Sequence, residues 1–125
     1  SGYQTAVLCK IGCKVYSIER FKDLFLKAKQ NLSDLNCNAN LFYGDGYLGL
    51  PNYAPYDKII VTAGASKVPF PLKEQLKVGG IMIVPVGLPN QEQSLLKVVK
   101  NEKGLDITEL MSVRFVQMKE GLVKA

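Results

Sequence analysis

Two short runs, Lys58-Ile59-Ile60-Val61-Thr62 and Ile81-Met82-Ile83-Val84, are almost wholly apolar. A strand with one wet face alternates apolar and polar residues. A strand without that alternation is covered on both faces, as in a parallel sheet carrying helices on each side. These two runs therefore constrain the chain to an α/β fold more tightly than any other feature. A length of 125 residues suits one domain, and an apolar content of 47% supplies its core.

The rest of the chain fits that frame. Thr5 to Ile11 reads as a short helix, with Gly12 as its left-handed stop. Val15 to Ile18 reads as a strand with Glu19 at its end. Phe21, Leu24, Phe25, Ala28, Leu32 and Leu35 then recur at helical spacing, one face of an amphipathic helix of about four turns, and Asn36 follows as its stop. Ala39 to Tyr43 is a strand that enters Gly44-Asp45-Gly46. A loop rich in Gly, Pro, Asn and Tyr leads to the strand at Lys58. Pro71 takes the first position of a short helix, where a missing N–H costs nothing, and Gly79-Gly80 close the turn after it. Leu95 to Val99 and Leu110 to Met118 are strand-like around a turn at Asn101 to Gly104. No helical pattern separates them, so they are expected to be antiparallel. The predicted fold is a doubly wound, mostly parallel sheet closed by an antiparallel strand pair.

Several function classes fall away on composition. The chain has no histidine, which removes Ser-His-Asp and Cys-His chemistry and most zinc sites from within it. Cys9, Cys13 and Cys37 lack metal-ligand spacing and read as small buried or half-buried apolar residues in a reducing cytoplasm. No metal site is expected. Net charge is +5, but the lysines are dispersed without a basic tract or Arg/aromatic interleaving, so solvated faces are expected and no nucleic-acid partner. No run approaches the ~18 apolar residues of a membrane-spanning helix, and Ser1-Gly2-Tyr3-Gln4 does not start a signal peptide, so no membrane partner is expected.

Four places carry candidate chemistry. Glu19, at a strand end, suits the two hydroxyls of a ribose; its bland alternative is a surface pair with Arg20 or Lys22. Asp45 suits an exocyclic amine, with Gly44 and Gly46 admitting the ligand to the backbone; its bland alternative is an ordinary Asp-Gly turn. Ser1 to Thr5 resembles the second half of a glycine-rich loop opening a helix, which points N–H groups at a polar ligand; its alternative is a ragged start. Thr62 to Pro69 places small residues at a strand exit, where an open sheet holds ligands; an ordinary strand-to-helix loop explains it as well.

Taken together, these residues resemble the protein-L-isoaspartate O-methyltransferases. The matching text is Ser1-Gly2-Tyr3-Gln4-Thr5-Ala6, Val15-Tyr16-Ser17-Ile18-Glu19-Arg20 and Gly44-Asp45-Gly46-Tyr47-Leu48-Gly49. It continues through Ala54-Pro55-Tyr56-Asp57-Lys58-Ile59-Ile60-Val61-Thr62-Ala63, Pro85-Val86-Gly87 and Met111-Ser112-Val113-Arg114-Phe115-Val116. The departures are Gly64-Ala65-Ser66, Val78 and Gln117, where the family has Ala-Ala-Pro, Pro and Pro.

The resemblance implies transfer of a methyl group from S-adenosylmethionine to the free carboxylate of L-isoaspartyl residues in damaged proteins or peptides, leaving S-adenosylhomocysteine. It implies that Ser1 and Gly2 face the methionine end of that cofactor, Glu19 with Arg20 the ribose, Asp45 with Gly46 the adenine, and Thr62 the space beside it. Ala63, Gly64, Ala65, Val68, Pro69 and Val116 would then line the substrate. It also implies a longer chain, in which a first central strand lies between the strands at Val15 and Lys58 and the substrate-binding Ser or Thr precedes Ser1. No catalytic residue is therefore expected in this chain, read as a single methyltransferase domain over 1–125 that lacks its front. Losing that strand exposes backbone groups worth roughly 1–3 kcal/mol each, against a net domain stability of about 5–15 kcal/mol, so these residues alone are not expected to form a stable, active enzyme. The competing readings are a methyltransferase of the same fold acting on RNA or a small molecule, a nicotinamide dinucleotide-binding domain, and a non-catalytic interaction fragment. The antiparallel ending and the Asp45 loop argue against the dinucleotide reading.

Overall fold

The computed structural model describes residues 3–37, 39–88 and 90–114. These fall into two compact units that divide at Gly46/Tyr47.

The first unit holds α1 (Tyr3–Lys10), β1 (Tyr16–Glu19), α2 (Lys22–Asp34) and β2 (Asn40–Tyr43). β1 and β2 pair in parallel, Tyr16 beside Asn40 through Glu19 beside Tyr43. Both helices end in the same way. After α1, Gly12 adopts φ +95°, its N–H bonds the Cys9 carbonyl at 3.0 Å, and the Cys13 N–H bonds the Leu8 carbonyl at 3.0 Å. After α2, Asn36 adopts φ 58°, its N–H bonds the Ser33 carbonyl at 3.0 Å, and the Cys37 N–H bonds the Leu32 carbonyl at 2.8 Å. These are two Schellman stops, one built on glycine and one on asparagine, the residue types that tolerate left-handed backbone. Asp23 in the first turn of α2 complements the helix dipole, and Gln30 donates to Asp34 at 2.9 Å along its exposed side. Of the predicted apolar stripe, Ala28 and Leu32 are buried and Phe25 is half-buried, its ring 6.1 Å from that of Tyr43. Phe21, Leu24 and Leu35 are exposed.

The second unit holds two short 3-10 turns (Gly46–Leu48 and Pro51–Tyr53), β3 (Tyr56–Ile60), α3 (Phe70–Gln75), β4 (Leu76–Val86), β5 (Gln93–Asn101) and β6 (Gly104–Val113). Its strands lie in chain order, β3 and β4 parallel, then β4, β5 and β6 antiparallel. The core comprises Val61, Leu72, Leu76, Met82, Val84 and Val98, flanked by Ile59, Val68, Val86, Leu96 and Leu105. Lys100 reaches from β5 to the carbonyl of Lys73 at 3.0 Å, placing a cation at the C-terminal end of α3 where the helix dipole favours one.

The antiparallel close is as expected, but four details differ from the sequence reading. β6 starts at Gly104, not Leu110, because Asn101 Oδ1 accepts the N–H groups of Lys103 and Gly104 at 2.8 and 2.9 Å and turns the chain within two residues. The predicted stretch from Phe115 to Met118 lies outside the described residues. Pro71 is the second helical residue of α3, not the first, a position whose N–H is equally unneeded. Gly79-Gly80 do not precede a new strand; they lie within β4, where the chain from Lys77 to Gly80 bulges between the partners of Tyr56 and Lys58. β3 is not covered on both faces: Lys58 and Ile60, which share one face of the strand, are exposed, while Val61 on the other face is buried. The predicted parallel sheet is thus present as two separate sheets, with no strand among the described residues joining β1 to β3.

Gly80 is fixed by close backbone approach. A Cβ there would lie 2.8 Å from the Lys77 carbonyl oxygen and 3.0 Å from that of Asp57. Backbone oxygens cannot rotate aside. Gly80→Ala is therefore expected to destabilise the intact protein by about 1–3 kcal/mol, read from urea unfolding, and a neutral result would show that the bulge yields freely.

Candidate functional site

The first unit brings four of the predicted residues together. Glu19 and Arg20 leave the carboxyl end of β1, and Asp45 and Gly46 leave that of its parallel neighbour β2. The Gly44 N–H donates to the Glu19 carbonyl at 3.0 Å, extending the pairing one step beyond the strands. Parallel strands lie about 4.8 Å apart, so the two carboxylates depart from one sheet edge on adjacent strands. All four residues are half-buried.

Each side chain is set locally. Glu19 Oε1 accepts the Phe21 N–H at 3.1 Å, which fixes the carboxylate and satisfies a donor at the N-terminus of α2. The Arg20 guanidinium stacks on the Phe21 ring, 4.9 Å from its centre. Gly44 is not required by the protein's own packing: a Cβ there would make an ordinary 3.5 Å contact with Ile18, and its φ is not left-handed.

The second unit carries the other predicted residues. Thr62 is exposed, and Ala63 and Val68 are half-buried. Gly64, Ala65 and Pro69 are buried. Ala65 is bridged to β4, its N–H to the Pro85 carbonyl and its carbonyl to the Gly87 N–H, both at 2.9 Å. Gly64 lies against the buried Gln93 side chain, and Pro69 caps α3, its carbonyl accepting from Leu72 and Lys73. These three serve the packing of their own unit. Ser1, Gly2 and Val116 lie outside the described residues. Among the described residues no group of three or more His, Cys, Asp and Glu side chains is arranged to hold a metal, and no helix is long and apolar enough to cross a membrane.

One residue of consequence escaped the sequence reading. Gln75, at the end of α3, donates to the Leu48 carbonyl and accepts from the Leu50 N–H, each at 2.9 Å, and so ties down the loop that follows Gly46. A glutamine in a short helix carries no signal of such a role.

Parallel α/β pairing with carboxylates at the ends of consecutive strands, closed by antiparallel strands, defines an α/β fold of the S-adenosylmethionine-dependent methyltransferase class. The family model for protein-L-isoaspartate(D-aspartate) O-methyltransferase matches residues 1–122, and the chain belongs to that family. A protein-L-isoaspartate O-methyltransferase of Christiangramia forsetii is 54% identical over 121 residues, covering 96% of this chain and 56% of the relative. A solved protein-L-isoaspartate O-methyltransferase superposes with a TM-score of 0.88 at 33% identity, covering 97% of this chain and 40% of that one. A Plasmodium falciparum homologue, solved in complex with S-adenosyl-L-homocysteine, gives a TM-score of 0.71 at 26% identity, covering 85% of this chain and 52% of that one. The chain thus spans little more than half the length of the curated relatives it matches.

Proposed function

We propose that the protein of which these residues are part is a repair enzyme, a methyltransferase acting on the free carboxylate of L-isoaspartyl residues in damaged proteins. The observation that carries the cofactor half of this reading is the pair of acidic residues, Glu19 and Asp45, leaving adjacent parallel strands at one edge, with a glycine at 44 that the surrounding packing does not require. Those donorless, acceptor-only side chains suit a nucleoside's ribose hydroxyls and exocyclic amine. Family membership supports the substrate half. Free cysteines throughout suit a cytoplasmic setting.

When bound, S-adenosylmethionine supplies a methyl group activated by a sulfonium. Glu19 would accept from the ribose hydroxyls, its orientation already held by the Phe21 N–H. Asp45 would accept from the adenine amine while Gly44 and Gly46 admit the ring. The substrate needs no general base from this chain, because a carboxylate with a free pKa near 4 is already ionised at neutral pH. The absence of histidine is therefore compatible with the reaction. The work left to the protein is alignment and partial exclusion of water.

The test is calorimetry with S-adenosylhomocysteine on the intact protein. Asp45→Ala is expected to weaken binding about ten- to a hundredfold, the value of a charge-assisted hydrogen bond. Glu19→Gln is the better second variant, since its amide oxygen can still accept from Phe21 and leave α2 undisturbed. Unchanged affinity in both would remove these roles. Methyl transfer to an isoaspartyl peptide, absent with the matching aspartyl peptide and with RNA, would establish the substrate; transfer to RNA alone would replace it.

A further inference from the structure

The 3-10 turn Gly46–Leu48 is one continuous element: Gly46, which would meet the adenine together with Asp45, opens it, and Leu48 closes it. Three residues of 3-10 helix do not support themselves, and their last carbonyls need partners from elsewhere. The Gln75 side chain supplies one. Its Nε2 donates to the Leu48 carbonyl at 2.9 Å, and its Oε1 accepts the Leu50 N–H at 2.9 Å. Gly49, between them, is at φ +65° and lies so close to the amide that a Cβ there would collide with it. Two bonds from one planar group, with the glycine pressed against it, define where the turn ends.

The amide is itself held at its base. Gln75 is the last residue of α3 and is buried. The next residue, Leu76, is buried and pairs with Tyr56 of β3. Lys100 Nζ bonds the Lys73 carbonyl near the end of the same helix at 3.0 Å. The Tyr56 hydroxyl donates to the Leu50 carbonyl at 2.6 Å, so the strand that pairs with Leu76 also grips the loop. Granted the cofactor site argued above, we propose that Gln75 is a positioning residue for recognition of the base: by holding Leu48 it fixes Gly46 and the adjoining Asp45 where the carboxylate distinguishes adenine from a 6-oxopurine.

The chemistry of the two bases makes position decisive. Adenine carries an exocyclic amine that donates, whereas hypoxanthine carries an oxygen there that only accepts. An ionised aspartate is acceptor-only, so it favours the first and repels the second. Both effects depend steeply on distance and angle. A carboxylate on a loosened turn can withdraw from the oxygen, or slide to the ring N1–H that hypoxanthine has and adenine lacks. Loss of the Leu48 bond therefore costs selectivity between the bases as well as affinity.

Calorimetry on the intact protein compares S-adenosylhomocysteine with S-inosylhomocysteine. The ratio of the two affinities is read within one protein, so any unfolded fraction cancels from it. The wild type is expected to prefer the adenosyl ligand about ten- to a hundredfold. Gln75→Met keeps the length of the side chain and removes both bonds. Gln75→Glu still accepts from Leu50 but, ionised, offers no proton to the Leu48 carbonyl. Each is expected to bring the ratio down about tenfold. Met82→Ala, a core truncation in the middle of β4, should keep the wild-type ratio despite its loss of stability. A wild-type ratio in either Gln75 variant, with the ratio lost in Asp45→Ala, would overturn the role of the Leu48 bond and leave the cofactor site standing. An equal fall in Met82→Ala would also overturn it, because general loosening would then suffice. A wild type that binds neither ligand, or both alike, would remove the Asp45 role and this one with it.

Discussion

Replacing Gln75 with alanine is expected to lower the stability of the intact protein by about 1–3 kcal/mol, because two part-buried backbone groups lose their hydrogen bonds at once. Gln75 is only 7% exposed, and its amide serves the Leu48 carbonyl and the Leu50 N–H together. The Tyr56 hydroxyl supports the same loop, donating to the Leu50 carbonyl at 2.6 Å. Gln75→Glu is a sharper probe than alanine. Its carboxylate can still accept from Leu50 but must face the Leu48 carbonyl without a proton to offer. Gly49 is the other half of this arrangement. It sits at φ +65°, and a Cβ there would run into the Gln75 amide. Gly49→Ala therefore combines left-handed strain with a clash at the same amide, and should cost about as much as Gln75→Ala. Because both variants disturb one contact, the double variant should fall well short of the sum of the two. Chemical unfolding of the four proteins checks this. Additive losses would mean that Gln75 and Gly49 act separately, and a loss below about 0.5 kcal/mol for Gln75→Ala would mean that water replaces the amide without penalty.

What the sequence made legible was mostly local. Gly12 and Asn36 announce helix stops because left-handed backbone is a property of single residues, and both adopt it. The strand at Ile81 is legible because β4 has a neighbour on each edge and a covered face. The strand at Lys58 misleads because its apolar run predicts cover on both faces, while the face that carries Lys58 and Ile60 is exposed. The start of β6 was missed because Asp106 to Glu109 are exposed, so no buried face imposes a readable alternation. The candidate site was legible where strand order alone determines it, as with Glu19 and Asp45 at the ends of paired neighbours. It was not legible where tertiary contact decides. Gln75 is an ordinary polar residue until burial and the Leu48 and Leu50 backbone give it partners.

The largest single loss is expected at Met82. It stands in the middle of β4, opposite Ile59 of parallel β3 on one edge and Val98 of antiparallel β5 on the other. Met82, Val84 and Val98 are each 0% exposed, and Leu72 and Leu76 cover them at the α3–β4 junction. Truncation to alanine removes the transfer energy of the thioether chain and leaves a cavity between strands whose hydrogen-bonded spacing resists collapse. Met82→Ala should therefore cost about 2–5 kcal/mol, a substantial part of a typical domain's net 5–15 kcal/mol. Met82→Leu keeps the volume and should cost less than about 1.5 kcal/mol. Met111 provides the matched control: it is the same residue type in the same sheet, but it lies on β6 and is 58% exposed. Met111→Ala should stay within about 0.5 kcal/mol of the parent. Urea unfolding of the three variants decides the matter. If Met82→Ala and Met111→Ala lost comparable stability, the core would not be centred on β4, and the burial that sets β3 and its exit loop at Thr62 in place would have to be sought elsewhere.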